Sequence, residues 1–178
     1  MSPPSRRQFL TTLATGSLAL MSRPAWAAQP AASRELHFRH LHTGETLAVE
    51  YFQGGRYQPD ALEAVSHLLR DFRTGDVHAI DPALLDVLFD VRHRVDTRRS
   101  FEVISGYRSP HTNAALRAKS EGVAAHSLHM SGRAIDIRLG DVPLPALRRS
   151  AQALGAGGVG YYPASNFVHL DTGRVRTW

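Results

Sequence analysis

Two short strand-like segments near the C-terminal end restrict the fold of this chain more than any other feature. Ala134 to Leu139 alternates strictly, with Ile135, Ile137 and Leu139 on one side and Ala134, Asp136 and Arg138 on the other. Phe167 to Asp171 likewise sets Val168 and Leu170 against His169 and Asp171. Successive side chains of a strand point to opposite faces, so each segment has an apolar face to bury and a second face carrying ionisable groups. If both lie in one sheet, Asp136, His169 and Asp171 converge on one cleft. His129 sits on the loop feeding the first strand, where Gly132 permits the bend and small Ala134 leaves room beside it.

Two histidines and one carboxylate, His129, Asp136 and His169, make the ligand set of an open zinc site, with the fourth position left to water. The chain has no cysteine, which excludes a closed thiolate site. Residues two apart on a strand are separated by roughly 6.6 Å. Asp171 is therefore expected outside the ligand set but close enough to act as a base toward a water there; a partner in the surrounding shell, or a salt bridge to Arg174 or Arg176, is the plainer alternative. Arg108 follows the strand end Ser105-Gly106-Tyr107, where a fixed guanidinium would stabilise an oxyanion or bind a substrate carboxylate. His126, three residues before His129, reads as a loop histidine, with proton donor as the alternative.

The rest of the chain supplies a frame. Glu35–Leu41 and Thr46–Phe52 alternate around the turn-like His42-Thr43-Gly44-Glu45 and read as a hairpin. His37 and His40, an odd number apart, point to opposite faces and read as ordinary surface histidines. Asp60–Arg73 spaces Leu62, Val65, Leu68, Leu69 and Phe72 as an amphipathic helix. Asp81 caps a second helix with Pro82 in its first turn, and His67 and His93 belong to helix surfaces. Phe101–Ser105 reads as a strand, about His111–Lys119 and Leu144–Leu154 as helices, and Val159–Tyr162 with Phe167–Asp171 as a closing hairpin. Helices early and strands clustered late predict an α+β domain, a small antiparallel sheet carrying the zinc cleft and packed with helices.

The first 27 residues read as an export address. Ser5-Arg6-Arg7-Gln8-Phe9-Leu10 is a twin-arginine pattern, the apolar run Leu10–Met21 is too short to span a membrane, and Ala25-Trp26-Ala27 suits signal cleavage. Residues 28–33 form a short Ala/Pro-rich tether, and 34–178 is long enough for one domain. Removing the signal takes away Arg6, Arg7 and Arg23 and lowers the net charge from +5 to +2. No basic run remains that would serve nucleic acid, Arg98-Arg99 and Arg148-Arg149 being solvated surface pairs. A periplasmic protein, monomeric and without a transmembrane segment once the signal is cut, is expected.

Ser127-x-His129-x2-Gly132-x-Ala134-x-Asp136 resembles the signature of the LAS metallopeptidases, the superfamily of lysostaphin-type enzymes, D-Ala-D-Ala metallopeptidases and the hedgehog N-terminal domain. More closely, the chain resembles the YcbK-like (MepK-type) murein endopeptidases, through Ser105–Pro110, Ser127–Leu139, Gly157–Pro163 and Phe167–Trp178. The resemblance implies Zn2+ held by His129, Asp136 and His169, and a substrate groove lined by Arg108 and Ser127, with Tyr107 beside them. It also implies hydrolysis of peptide cross-links in peptidoglycan. Many LAS enzymes carry a glutamate base three residues before the last histidine; Asn166 stands there in this chain, which leaves Asp171 as the stand-in. The same resemblance admits a catalytically weak, zinc-stabilised peptidoglycan-binding module or a D,D-/L,D-carboxypeptidase, and a periplasmic metal sensor rests on the histidine count alone.

Overall fold

The computed structural model describes residues 33–120 and 122–178; the expected signal and nearly all of the tether lie outside the described residues. Its elements are β1 (Arg34–His40), β2 (Thr46–Gln53), β3 (Arg56–Tyr57), α1 (Pro59–Leu68), α2 (Pro82–Arg94), β4 (Phe101–Ser105), α3 (Pro110–Arg117), a 3-10 turn (Leu128–Ser131), β5 (Ala134–Arg138), α4 (Leu144–Leu154), β6 (Gly158–Tyr162), β7 (Phe167–Asp171) and β8 (Arg176–Thr177). The strands form one eight-stranded sheet in the order β3-β2-β1-β4-β5-β7-β6-β8. The small antiparallel sheet expected from sequence is thus corrected to a larger, mixed one, because β1 pairs parallel with β4 and β6 parallel with β8. A parallel partner needs a crossover, which the stretch containing α1 and α2 supplies between β3 and β4. β8 is only two residues long and carries no period of its own to betray it.

The alternation in β5 and β7 divides the sheet as expected. Ile135, Ile137, Val168 and Leu170 join Leu36, Phe38 and Val103 in one core with Leu84, Leu88, Val91 and Leu147 from the helices. α2 lies against β1 and α4, and α4 against β6 and β7. Asp81 caps α2 by accepting from the Ala83 amide at 2.9 Å.

Two local expectations are corrected. α1 ends at Leu68 instead of reaching Arg73, since the Leu69 carbonyl is taken by the Tyr107 amide at 2.7 Å and residues 71–76 close their own loop, with the Asp71 carbonyl accepting from Gly75 at 2.7 Å. His40 is fully buried. It shares the core-facing side of β1 with Leu36 and Phe38, while His37 faces the other way. Burial lowers the pKa of His40, and its Nδ1 accepts from the His42 amide at 3.2 Å. His67 and His93 are exposed as expected.

Candidate metal centre and substrate cleft

The uncovered face of the sheet carries one transverse row, Ser105, Asp136, His169 and Gly160, in register across β4, β5, β7 and β6. His129 arrives from the 3-10 turn, which Ser127 opens by accepting from the His129 amide at 3.4 Å. The turn closes at Gly132, whose φ of +66° is the left-handed region. A side chain there would also run into the Ala79 carbonyl, so glycine is required twice over.

His129 Nε2 lies 3.2 Å from His169 Nδ1 and 3.2 Å from Asp136 Oδ1, and His169 Nδ1 lies 2.9 Å from the same oxygen. All three residues are buried. A tetrahedral zinc with ligands near 2.0–2.1 Å separates its donor atoms by roughly 3.3 Å, so the triangle fits one face of such a coordination shell. The far nitrogen of each ring is engaged, which assigns its proton: His129 Nδ1 donates to the Gly106 carbonyl at 2.6 Å, and His169 Nε2 to Asp171 Oδ2 at 3.0 Å. Both remaining nitrogens then point at Asp136.

Electrostatics around the triangle favour a positive charge inside it. Burial raises the Asp136 pKa, but His129, His169 and Arg108 outweigh it and hold the carboxyl well below the usual range. Burial lowers His129. It also pulls His169 down, yet the carboxylates of Asp136 and Asp171 at its two nitrogens win and raise it. A proton or a metal ion between His169 and Asp136 is therefore stabilised.

Arg108 donates to the outer oxygen of Asp136, Oδ2, and through Nε to Ser105 Oγ at 2.8 Å. Asp171 is fully enclosed and its carboxylate is saturated. Oδ1 accepts from the amides of Gly158 at 3.0 Å and Gly173 at 2.8 Å, and Oδ2 accepts from His169 and from Arg176 at 2.7 Å. These donors outweigh burial and depress its pKa. It braces the His169 ring from behind and does not line the cleft. Of the two arginines named as salt-bridge partners from sequence, Arg176 is the one that makes the bridge.

A cleft of about 600 Å³ opens above the triangle. Ser127, Arg108 and His126 line it as the sequence led us to expect of the first two. Tyr107 is the exception: its side chain turns away, packing on the core and on His78 at 4.8 Å between ring centroids. Asn166 is exposed at the β6–β7 turn, with φ of +53°, and faces a separate shallow pocket beside Glu102 and Arg138. Asparagine suits that left-handed position, and a longer acid there would not point at the triangle. Sequence reasoning missed four contributors to the cleft. Tyr162 and Phe167 stack at 4.6 Å, and Trp178 lies beside His169 and donates to the Tyr162 hydroxyl at 2.7 Å. Arg73 lines the opposite part. Strand parity, of Tyr162 with Gly160 on β6 and of Phe167 with His169 on β7, was the available signal; Trp178 and Arg73 are placed by tertiary contacts alone.

The family model for "Peptidoglycan L,D-endopeptidase MepK", in the peptidase M15 group, matches residues 28–178. Peptidoglycan L,D-endopeptidase MepK of Escherichia coli (strain K12) is 43% identical over 177 residues, covering 98% of this chain and 97% of the relative. The protein of the same name from Shigella flexneri matches to the same degree. The probable peptidoglycan L,D-endopeptidase MepK of Haemophilus influenzae is 43% identical over 170 residues, 95% of this chain and 88% of that one.

Proposed function

The chain belongs to the MepK family of peptidoglycan L,D-endopeptidases, and from that premise we propose that it is a zinc-dependent hydrolase of peptidoglycan stem-peptide cross-links, exported to the periplasm by its twin-arginine signal. The observation that carries the zinc reading is the triangle of His129 Nε2, His169 Nδ1 and Asp136 Oδ1, with sides of 2.9–3.2 Å. Each ring is braced through its other nitrogen, by a carbonyl and by a carboxylate, the arrangement that orients histidines toward a metal. When bound, zinc supplies Lewis acidity toward a carbonyl and a nucleophile at neutral pH.

The chain's own residues divide the remaining work. Arg108 fixes Asp136 and, at the lip of the cleft, presents its guanidinium to charge developing on the scissile carbonyl oxygen. Asp171 keeps the His169 ring in one tautomer and orientation; its saturated oxygens leave it no capacity as a base. His126, exposed and lining the cleft, is the side chain we assign to proton transfer. Ser127 and the Tyr162–Phe167–Trp178 wall hold the peptide against the open face. Only three protein ligands converge among the described residues. That favours an open catalytic site over a closed structural one, and so an enzyme over the binding-module alternative.

The test is incubation of the protein, residues 28–178, with purified cross-linked muropeptides, with and without chelator, followed by mass analysis. Cleavage that disappears on chelation and returns with one equivalent of zinc supports the proposal. Cleavage indifferent to chelator, or zinc binding with no hydrolysis, overturns it, the latter in favour of a binding module.

A further inference from the structure

Three arginines line the cleft, and two of them are matched. Arg108 is paired with Asp136 and Arg176 with Asp171. Arg73 has no carboxylate within 4 Å of its guanidinium among the described residues. Its neighbour Asp71 is fully buried and turned inward, accepting from the Arg73 amide at 3.0 Å, the Ser109 amide at 2.9 Å and the Ser109 hydroxyl at 2.8 Å. Asp136 is the only aspartate or glutamate lining the cleft among the described residues, so the guanidinium of Arg73 faces the cleft with no acidic side chain bonded to it, the buried Asp71 acting on it only through its field.

The guanidinium is also held in place. It lies 4.1 Å from the centroid of the Phe72 ring. Phe72 stacks at 4.0 Å and 11° on His42, another lining residue, and receives the buried His40 ring edge-on at 5.5 Å. A planar cation fixed on an aromatic stack loses little side-chain freedom when it binds, and its paired N–H groups match a carboxylate.

We propose that Arg73, on its Phe72–His42 stack, is a carboxylate-binding subsite that selects substrates with a free carboxylate beside the scissile amide. The proposal rests on the peptidoglycan L,D-endopeptidase reading and deepens it. In an L,D amide the scissile nitrogen is attached to a D-configured carbon that bears its own carboxylate, which is anionic when free and neutral when amidated. Arg73 would discriminate these two forms, while Arg108 attends to the bond being cut.

The experiment compares Arg73→Gln and Arg73→Lys with the unsubstituted, zinc-loaded protein on two L,D cross-linked peptides that differ only in amidation of that carboxylate. Arg73 is exposed, so both variants are expected to fold, and thermal melts check this. For the free-carboxylate peptide, Arg73→Gln should raise KM roughly 10–100-fold, the scale of a hydrogen-bonded ion pair, with kcat within about 2-fold. Arg73→Lys should fall between. The amidated peptide should show the high KM already with the unsubstituted protein and change no further in Arg73→Gln. Equal effects on both peptides, or none on either, would overturn the subsite. Calorimetric binding of the free-carboxylate product to metal-free protein gives a second readout with the same expected loss. If the unsubstituted protein cleaves neither peptide, the endopeptidase reading fails, and calorimetry still decides the subsite.

Discussion

His129 and His169 present different ring nitrogens to Asp136, and what each ring donates to from its other side sets the choice. Gly106 takes the Nδ1 proton of His129, whereas Asp171 takes the Nε2 proton of His169. Replacing either histidine removes one corner of the triangle. His129→Ala and His169→Ala are each expected to abolish stoichiometric zinc binding, measured by plasma mass spectrometry after dialysis; full occupancy in either would remove that residue from the site. Asp171→Asn is a subtler change, since an amide cannot enforce the same tautomer. Its expected effect is a loss of roughly 10–100-fold in zinc affinity, the usual range for a residue that orients a ligand. Unchanged affinity together with a loss of roughly 10²–10⁴-fold in turnover would instead restore Asp171 as a base. The sequence placed Asp171 on the right face of β7. It could not show that Gly158, Gly173 and Arg176 would occupy the oxygens, because those donors come from β6, the loop after β7 and β8.

At the scale of elements, the 3-10 turn and the loop after α1 decide how the cleft is shaped. Gly132→Ala forces an L side chain into the left-handed region and toward the Ala79 carbonyl. A cost of about 2 kcal/mol corresponds to a melting temperature lower by about 4–8 °C in a domain of this size, readable by calorimetry. Asp71 ties the post-α1 loop to the cap of α3. Burial opposes its ionisation, but bonds from Thr112, Ser109 and the Arg73 amide outweigh this and lower its pKa. A depressed folded-state value means its contribution is present above the unfolded value of about 3.9 and is lost as pH falls through the folded one. Asp71→Asn should therefore destabilise by about 2 kcal/mol at pH 7. The gap from the unsubstituted protein should narrow below about pH 4, as followed by urea unfolding. A gap constant from pH 7 to pH 3 would contradict it. The early end of α1 follows from the same contacts: the period of Leu62, Val65, Leu68, Leu69 and Phe72 runs on, but the Leu69 carbonyl is captured by Tyr107.

For the whole molecule, two of the three proposed ligands sit on adjacent strands of one sheet and the third on a loop pinned above it, so a metal bound there would be coupled to the fold. A ligand that binds the folded chain alone stabilises it by about 2.7 kcal/mol at a hundredfold excess over Kd. Zinc at that level should raise the melting temperature by roughly 5–10 °C, and a chelator should reverse the shift. The same scan on His169→Ala should show no zinc response. No helix among the described residues is long and apolar enough to cross a membrane.

By itself the sequence determined the faces. Strict alternation in β5 and β7 leaves only one way to bury Ile135, Ile137, Val168 and Leu170, and that choice turns Asp136 and His169 outward together. It also determined the hairpins, the cap of α2 and the bend at Gly132, all of which depend on neighbours a few residues apart. Tertiary structure decided what depends on distant partners: the parallel pairings of β1 with β4 and β6 with β8, the burial of His40, and the turning of Tyr107 out of the cleft. It also decided the enclosure of Asp171 and the placing of Arg73 and Trp178 on the cleft walls. The physical reason is range: a period of two is written in consecutive residues, whereas the occupant of a carboxylate's lone pairs is known only when the sheet has closed around it.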